Sequence, residues 1–505
     1  MHERPVKRWS RPLRLNNVWD DDDVNAMDDT LSRIEITGVT CDSRRVKPGY
    51  VFAALSGSNV DGRTFIDDAV ARGAAAIIVS NDDDGPSLDI PVIRDADPRR
   101  RYARACATFY DAQPSNIGAV TGTNGKTSVA WFARQLINAA GLSAASAGTL
   151  GVLGTSATGE TIVENPGALT TPDPSDLHRD LKALADTNID HLVLEASSHG
   201  LDQRRLDGVR VRACAFTNFS RDHLDYHLTE DAYLTAKLRL FDTLTIEGGH
   251  AVINTDARYA EAFISAAQRR SFKIIRVGSD ENCDFRLISA MPETGGLNIA
   301  VCVDGKKQHI ALPLVGGFQA SNALVALALV SALGVDTSIA IEGMTTLQPA
   351  PGRMQLCGKH ASGAAIYIDY AHTPDALETV LKSLRPHTSG KLHVVFGCGG
   401  DRDPGKRIQM GKAAADFADK VILTDDNPRT EDAALIRKAA LEGAPDAEEI
   451  GDRRVAIQIA VKGLRTGDIL VVAGKGHETG QTIGDTVYPF NDADEVRIAL
   501  TGGGA

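Results

Sequence analysis

A glycine-rich loop around position 122 is the segment of this sequence best suited to chemistry. It reads Thr-Gly-Thr-Asn-Gly-Lys-Thr-Ser over residues 121–128, after a short apolar run and before a helical apolar stripe. Glycines allow backbone N–H groups to surround phosphate oxygens, the following helix N-terminus adds positive potential, and Lys126 adds a point charge. The standard spacing needs a glycine where this chain has Val120, so the sequence predicts a compressed phosphate loop. The alternative is a glycine turn that caps a helix beside a surface lysine.

A phosphate loop needs ligands for Mg²⁺, and the pattern offers two. The Thr127 hydroxyl can ligate the ion, and Glu195 follows the apolar run Leu192–Leu194, where an acidic partner would stand at the end of a neighbouring strand. Glu195 could instead cap a helix, although the polar loop after it favours the metal role. Residues 218–227 hold two histidines and two aspartates, which alone are equally consistent with a hydrogen-bonded loop.

Short apolar runs that alternate with helix-length stretches are expected to position these residues. They predict an α/β fold whose sheets are largely parallel and covered by helices. The sequence predicts a flexible leader over residues 1–30 and a smaller N-terminal α/β domain over 31–113. A central domain with a mostly parallel, phosphate-loop ATPase-like sheet should span 114–347, and a C-terminal domain with a Rossmann-like open sheet should span 348–505.

Composition excludes several other classes of protein. The chain has 505 residues and a net charge of -12, so nucleic-acid phosphates would meet mostly repulsion. Its seven cysteines form no close pairs and no zinc-like spacing, which favours reduced thiols and a cytoplasmic protein. The longest apolar stretch, Ala323–Val335, is shorter than the roughly 20 residues of a membrane span and predicts a buried core helix.

Eight motifs then occur in an order that resembles the Mur ligase family. They are TGTNGKTS, EASSHGLDQRR, TNFSRDHLDYH, TAKL, IDYAH, GCGGDRDPGKR, DDNPR and AGKGHE. The resemblance covers nearly the whole chain after the leader and is strongest to the members that add meso-diaminopimelate to UDP-N-acetylmuramoyl-L-Ala-D-Glu. It implies a monomeric, ATP-dependent amide ligase of peptidoglycan precursor synthesis. In such enzymes ATP phosphorylates the D-Glu γ-carboxylate, and the incoming amine attacks the acyl phosphate.

The resemblance also implies roles for residues around the phosphate loop. Lys126, His223 and Lys237 would be the catalytic residues, and Mg²⁺ would be held by Thr127, Glu195, His223 and Lys237. The pattern alone would place Lys237 on a helix surface, whereas the resemblance implies a carbamylated lysine that supports a second Mg²⁺. The ATP contacts would be Gly122, Thr123, Asn124, Gly125, Lys126, Thr127, Ser128, Asn322, Arg353 and Asp369. Relatives often carry an extra asparagine before the residue that matches Asn322, a departure that leaves Asn322 itself intact.

Contacts to the UDP-linked substrate are implied in the same way. The matching residues are Ser43, Ser58, Asn59, Val60, Thr170, Thr171, Ser197, Gln203 and Arg205. Hydroxyl groups and an arginine suit uracil, pyrophosphate and carboxylate groups. For Ser43 and Ser58, ordinary turn chemistry remains an alternative.

The C-terminal motifs supply a separate argument about the amino acid. Each follows an apolar run predicted as a strand, so together they should gather at the carboxyl edge of one open sheet, where such sheets bind ligands. Arginines can grip a terminal carboxylate while acidic side chains accept from an ammonium group, as diaminopimelate requires. The residues that can do this are Arg402, Asp426, Arg429 and Glu478. The resemblance adds Asn427, Pro428 and Gly474, and in this family the motif over residues 426–429 marks the type that adds diaminopimelate.

Three alternatives stay open at this point. A lysine-adding Mur ligase has no terminal carboxylate to bind and would not need the second arginine. A folylpolyglutamate synthetase-like ligase is a further relative. A phosphate-loop protein that uses ATP as a switch for partner binding would form no acyl phosphate and would not depend on Lys237.

Overall fold

The computed structural model describes residues 13–14, 34–57, 60–82, 88–167 and 169–502. Within these residues the chain forms three main sheets, one after another along the sequence, each covered by helices. The predicted α/β class is therefore confirmed. The predicted leader lies almost wholly outside the described residues, as do the predicted substrate contacts Ser58 and Asn59.

The first sheet is small and wholly parallel. A short pair of antiparallel strands precedes it, β1 (Leu13–Arg14) and β2 (Glu35–Ile36). The sheet itself consists of β3 (Gly38–Thr40), β4 (Tyr50–Ala53), β5 (Ala76–Ser80) and β6 (Val92–Asp95), which pair in that order. Its helices are α1 (Ile66–Ala71) and α2 (Pro98–Tyr110), with 3-10 turns at Ser43–Arg45 and Gly62–Phe65.

The second sheet is the largest, with eleven strands. They are β7 (Asn116–Thr121), β8 (Ala144–Gly148), β9 (Gly151–Thr155), β10 (Thr161–Asn165), β11 (His191–Glu195), β12 (Val211–Phe216), β13 (Thr245–Asn254), β14 (Lys273–Gly278), β15 (Phe285–Glu293), β16 (Gly296–Val303) and β17 (Lys306–Leu312). Their spatial order is β10-β9-β8-β11-β7-β12-β13-β14-β15-β16-β17. Pairing is parallel from β8 to β15 and antiparallel at both edges.

The helices of this second unit lie on both sides of its sheet. They are α3 (Lys126–Ala139), α4 (Pro174–Asp186), α5 (Ser198–Asp202), α6 (Leu224–His227), α7 (Glu230–Arg239), α8 (Ala260–Arg269), α9 (Gly317–Ala332) and α10 (Thr337–Gly343), with a π-helical turn at Leu240–Leu244 and a 3-10 turn at Met344–Thr346. The predicted stripe of α3 is buried against α9, which is itself buried on nearly all sides. This burial confirms the predicted core helix. Among the described residues, every helix falls short of the length and apolar character of a membrane span.

The third sheet has six strands, of which only the first is antiparallel to its neighbour. They are β18 (Gln355–Lys359), β19 (Ala365–Asp369), β20 (Leu392–Phe396), β21 (Lys420–Leu423), β22 (Glu448–Glu449) and β23 (Ile469–Ala473), in the spatial order β18-β19-β23-β20-β21-β22. A separate hairpin follows, β24 (Gly480–Ile483) and β25 (Thr486–Pro489). Helices are α11 (Pro374–Leu384), α12 (Lys406–Phe417), α13 (Ala433–Leu441), α14 (Arg453–Lys462) and α15 (Asp492–Leu500), with a 3-10 turn at Arg385–His387.

Two helices of the third unit cross at a glycine. A Cβ added to Gly411 in α12 would lie 2.0 Å from the Ala440 carbonyl oxygen of α13, so the backbones pack in direct contact. Because that neighbour is backbone, a side chain here forces the helices apart.

We therefore expect Gly411→Ala to lower the free energy of unfolding by about 1–3 kcal/mol, the usual effect of overpacking a core. Gly463→Ala is the matched control, since its added Cβ would have its nearest contact at 3.4 Å. Denaturant titration of both variants measures the difference. Equal stabilities would show that the helix crossing tolerates a methyl group.

Candidate functional site

The glycine-rich loop joins the end of β7 to the start of α3, at the centre of the largest sheet. The chain after β12 holds it in place: the Asn124 N–H donates to Asn218 Oδ1 at 2.9 Å, and the Thr217 hydroxyl donates to the Asn124 carbonyl at 2.6 Å. Gly125 has φ +87°, and a Cβ there would lie 2.5 Å from Asn322 Oδ1. Close approach and backbone conformation therefore both require glycine.

Lys126 folds back over the loop. Its ammonium group donates to the carbonyls of Gly122 at 2.9 Å and Thr123 at 2.8 Å. Burial lowers the pKa of Lys126, while Glu195 acts in the opposite direction. The positive charge of Lys126 therefore lies over the loop, where backbone N–H groups and the N-terminus of α3 also favour the binding of an anion.

Glu195 stands at the end of β11, next to β7, as the sequence predicted. Its carboxylate accepts the Thr127 hydroxyl on Oε2 at 2.9 Å and the Thr149 N–H on Oε1 at 2.8 Å. The Thr149 hydroxyl adds a third hydrogen bond at 3.2 Å. The carboxylate is therefore fixed against the loop, beside the hydroxyl predicted to share a cation with it. Thr149 carries no sequence signal of this role, because a threonine in a turn is commonplace.

The predicted metal residues come together around the loop. His223 has φ +53°, and burial lowers its pKa to about 4, so the ring is neutral near pH 7, the form that binds metals. Among the described residues, no group of three or more histidine, cysteine or acidic side chains is arranged to hold a metal ion. The predicted set of Mg²⁺ ligands therefore also needs the Thr127 hydroxyl and a carbamylated Lys237, and this magnesium site stays a prediction.

Lys237 is buried, contrary to the surface position that its sequence pattern alone suggests. Its ammonium donates to the Gly122 carbonyl at 2.8 Å and lies 4.2 Å above the centre of the Tyr233 ring. Burial, with Lys126 nearby, holds the pKa of Lys237 well below its ordinary value. A neutral amine is the nucleophilic form of lysine. Helix α7 alone could not reveal this, because the burial arises from the loop packed over it.

A cavity of about 480 Å³ opens beside the loop. Of the ten residues predicted to contact ATP, all but Gly122 line it. Asp369 is buried there, and its carboxylate accepts the N–H groups of Met354 at 2.7 Å and Ala371 at 2.8 Å. Arg353 stacks over the Tyr370 ring at 4.2 Å. Asp369 therefore fastens the segment that carries Arg353 to the cavity wall.

A second cavity, of about 360 Å³, lies at the carboxyl edge of the third sheet. Every residue predicted to bind diaminopimelate lines it except Pro428. Arg429 has φ +52°; its N–H donates to the Thr482 carbonyl at 3.1 Å, and its own carbonyl accepts the Gly484 N–H at 2.7 Å. The hairpin β24–β25 thus holds Arg429 in a left-handed conformation. The two cavities adjoin, since both are lined by Asp222, His223, Tyr370, His372 and Asp375.

The predicted substrate residues on the segments before and after β11 form one hydrogen-bond network. The Thr171 hydroxyl donates to the Glu195 carbonyl at 3.0 Å and lies 3.0 Å from Ser197 Oγ. Arg205 donates to the Thr171 carbonyl at 2.7 Å and to Gln203 Oε1 at 2.6 Å. Thr170 joins through the Thr149 hydroxyl at 3.0 Å. Ser43 and Val60 lie apart on the first unit, the former buried and the latter exposed.

Sequence models of three families match consecutive parts of the chain. They are described as "Mur ligase family, catalytic domain" over residues 35–110, "Mur ligase middle domain" over 120–330, and "Mur ligase, glutamate ligase domain" over 352–476. A Caulobacter vibrioides protein named UDP-N-acetylmuramoyl-L-alanyl-D-glutamate–2,6-diaminopimelate ligase is 52% identical over 92% of this chain and 96% of its own length. This chain belongs to the Mur ligase family.

Solved structures agree with this assignment. A structure of a UDP-N-acetylmuramoyl-L-alanyl-D-glutamate–2,6-diaminopimelate ligase matches with a TM-score of 0.70 and 35% identity, covering 98% of this chain and 99% of that one. The MurF ligase from Thermotoga maritima, in complex with ADP, matches with a TM-score of 0.61 and 19% identity, covering 89% of this Mur ligase and 96% of that chain. The second match shows a shared fold alone.

We expect Gly125→Ala to weaken ATP binding about tenfold or more, because the methyl group meets Asn322 in a left-handed position that costs an alanine about 1–2 kcal/mol. Gly141→Ala, just beyond the other end of α3, is the matched control: its φ is +75° but its added Cβ would meet nothing within 4 Å. Isothermal titration calorimetry with ATP compares them. Equal losses of affinity in both would assign the effect to backbone strain.

Proposed function

We propose that this Mur ligase joins meso-diaminopimelate to the D-Glu of UDP-N-acetylmuramoyl-L-Ala-D-Glu at the expense of ATP. The observation that carries the proposal is the pair of adjoining cavities, one beside a phosphate loop and one lined by arginines and carboxylates. High identity to relatives named for this reaction supports it. We also propose the three predicted domains, divided near residues 113 and 347, and a monomeric, cytoplasmic enzyme.

ATP would occupy the larger cavity, with its phosphates against the loop amides and Lys126. The residues present fit Mg²⁺, because the Thr127 hydroxyl and the Glu195 carboxylate lie together beside the loop and the His223 ring is neutral. When bound, Mg²⁺ would supply positive charge to the phosphates. The complex of ADP with the Thermotoga maritima MurF ligase is consistent with a nucleotide in this fold.

Lys237 would act as a carbamate. Its lowered pKa favours the neutral amine, which can add carbon dioxide and release a proton, so that a carbamate anion replaces the amine beside the Gly122 carbonyl. Such an anion could support a second Mg²⁺, and it would attract the ammonium group of Lys126. A ligase rate that falls when dissolved carbon dioxide is removed would support this role.

The chemistry follows from the poor reactivity of a carboxylate. Transfer of the γ-phosphoryl group to a carboxylate oxygen releases ADP and leaves an acyl phosphate, whose phosphate is a good leaving group. The incoming amine nitrogen attacks the acyl carbon, loses a proton, and forms the amide as phosphate departs. Lys126 would offset the negative charge that accumulates, and the shared wall of the cavities would bring acyl carbon and amine together.

The UDP-linked substrate would approach along the network of Thr171, Ser197 and Arg205, with Ser43 and Val60 on the first unit. Arg205 is half-buried, and burial lowers its pKa. Its hydrogen bonds to Thr171 and Gln203 orient the guanidinium, whose remaining donors are suited to fixing a carboxylate or pyrophosphate. Gln203 would be oriented by its hydrogen bond to Tyr226.

The two ends of diaminopimelate explain the mixed charges of the second cavity. Arg402 and Arg429 would bind the far carboxylate, while Glu478 and Asp426 would accept from the far ammonium group. Burial raises the pKa of Asp426, whereas the pKa of Glu478 is lowered because Lys475 and Asn427 outweigh burial there. A lysine substrate would leave the arginines without a carboxylate.

With the UDP-muramoyl dipeptide and ATP, we expect phosphate release to require meso-diaminopimelate and Mg²⁺. Lysine should support at most about 1% of the diaminopimelate rate, because a buried site built for a charged group strongly rejects an analogue without it. A phosphate-release assay with each amino acid, and with EDTA, checks this. Release with lysine alone would instead identify a lysine-adding ligase, and release with neither would favour an ATP-driven switch.

We expect Arg429→Ala to raise the KM for diaminopimelate about tenfold to a hundredfold, the effect of losing a charged hydrogen bond. The KM for ATP should change less than twofold, since Arg429 lines only the smaller cavity. The KM for diaminopimelate of Arg429→Lys should lie between those of the wild type and Arg429→Ala, because lysine keeps the positive charge but cannot form the paired hydrogen bonds of a guanidinium group. Steady-state kinetics with each substrate varied would decide; parallel rises in both KM values would remove Arg429 from the amino-acid site.

A further inference from the structure

Lys475 is a buried cation directly behind the amino-acid cavity. It lies in the loop after β23, between Gly474 and Glu478, both of which line that cavity. The side chain of Lys475 is itself fully buried. Burying an ammonium group is costly unless nearby partners satisfy it, so its partners indicate what it does.

Those partners all belong to the predicted amino-acid site: two of them accept hydrogen bonds from Lys475, and a carboxylate oxygen of Asp426 lies 4.0 Å from its nitrogen. The Lys475 ammonium donates to Asn427 Oδ1 at 3.0 Å and to Glu478 Oε2 at 2.9 Å. Asn427 Nδ2 donates to the same Glu478 oxygen at 2.9 Å, which closes a triangle. The Thr482 N–H of the hairpin also donates to Asn427 Oδ1, at 2.9 Å. Asn427 can therefore take only one amide orientation.

The triangle leaves one carboxylate oxygen of Glu478 for the cavity. Within the described part of the chain, the hydrogen bonds of this carboxylate all end on Oε2. Its side chain is 30% exposed, while Lys475 and Asn427 are buried. Oε1 is thus the atom available to an ammonium group in the cavity.

Lys475 also favours the ionised form of Glu478. Burial alone would raise the pKa of Glu478, but Lys475 and the Asn427 amide outweigh burial and hold that pKa below its ordinary value. The other charged or titratable groups around this carboxylate are His477 on the same loop, Asp426 after β21, Tyr370 after β19 and Arg453 of α14. Burial lowers the pKa of His477 to about 4, so it adds no charge near neutral pH.

We propose that Lys475 is a positioning residue for the incoming amino acid: it fixes the Glu478 carboxylate through Oε2, with Oε1 directed to the ammonium group of the diamino acid. The proposal rests on the proposed function, because it needs an ammonium-bearing substrate in this cavity. Lys475 touches no substrate and acts through Glu478. A purely structural lysine would stabilise the fold without affecting how one substrate binds.

The test compares Lys475→Met, which removes the charge, with Lys475→Arg, which keeps it. For Lys475→Met we expect the KM for diaminopimelate to rise about tenfold or more, since Glu478 loses a charged partner, with the KM for ATP unchanged. Removing Lys475 removes the strongest influence that opposes burial, so the pKa of Glu478 should rise in this variant. The KM for diaminopimelate should therefore increase as pH falls from neutral into the mildly acidic range, and the wild type should show no such increase.

For Lys475→Arg we expect a smaller rise in the KM for diaminopimelate and no new pH dependence of that KM. This variant keeps the test decisive if Lys475→Met does not fold. His393→Leu is the matched control: it breaks another buried pair, with Asp468 at 3.2 Å, at the start of β20 and so at the opposite edge of the same sheet. We expect it to lower the melting temperature without changing either KM. Equal KM values in wild type and Lys475→Met would overturn the proposal, as would proportional rises for both substrates.

A double-mutant cycle with Glu478→Gln tests whether Lys475 affects the binding of diaminopimelate through Glu478. If Lys475 acts through Glu478, adding Lys475→Met to Glu478→Gln should change the KM for diaminopimelate less than twofold, because coupled residues are not additive. Full additivity would contradict the proposal. Failure of the wild type to respond to diaminopimelate would refute the proposed function, whereas a responsive wild type with unaffected variants would refute only the role of Lys475.

Discussion

The parallel pairing of β7 with β11 on one side and β12 on the other is the constraint on which the nucleotide site depends. The register pairs Glu195 with Val120 and Phe216 with Thr121, so the three strands end at the same level. The loop after β7 therefore emerges between Glu195 and the segment that begins at Thr217. Changing this register by one residue would turn Glu195 to the other face of the sheet and separate it from Thr127. The proposed cation ligands and the proposed phosphate loop thus share one backbone origin.

Much of the fold could be predicted from the sequence, because strongly apolar runs mark most central strands and Asp304-Gly305 marks the hairpin turn between β16 and β17. Thr373 and Pro374 likewise mark the start of α11 in the sequence, where the Thr373 hydroxyl caps the helix. Strands such as β8 carry no comparable signal, since Ala144–Gly148 contains alanine, serine and glycine without the branched side chains typical of strands. Small residues are needed there: a Cβ on Gly148 would lie 2.1 Å from Glu195 Oε1.

Residues of the site were predictable where a motif carried them and hidden where tertiary packing created them. The phosphate loop and Glu195 follow from local pattern and strand context. The burial of Lys237 and the support that Thr149 gives to Glu195 depend on contacts between segments far apart in sequence. Lys475 stood within a recognised motif, yet its partners, Asn427 and Glu478, become visible only when two loops meet at the edge of the sheet.

The left-handed conformation of Arg429 has a consequence for redesigning specificity. Two backbone hydrogen bonds to the hairpin offset the strain of that conformation, and the guanidinium donates to the Gly400 carbonyl at 2.7 Å. Its direction is therefore set by the hairpin and by the loop after β20 as much as by the Asp-Asn-Pro-Arg segment. A graft of those four residues onto another scaffold would transfer the side chain without these contacts, so the unit to exchange is the four residues together with the loop after β20 and the hairpin β24–β25.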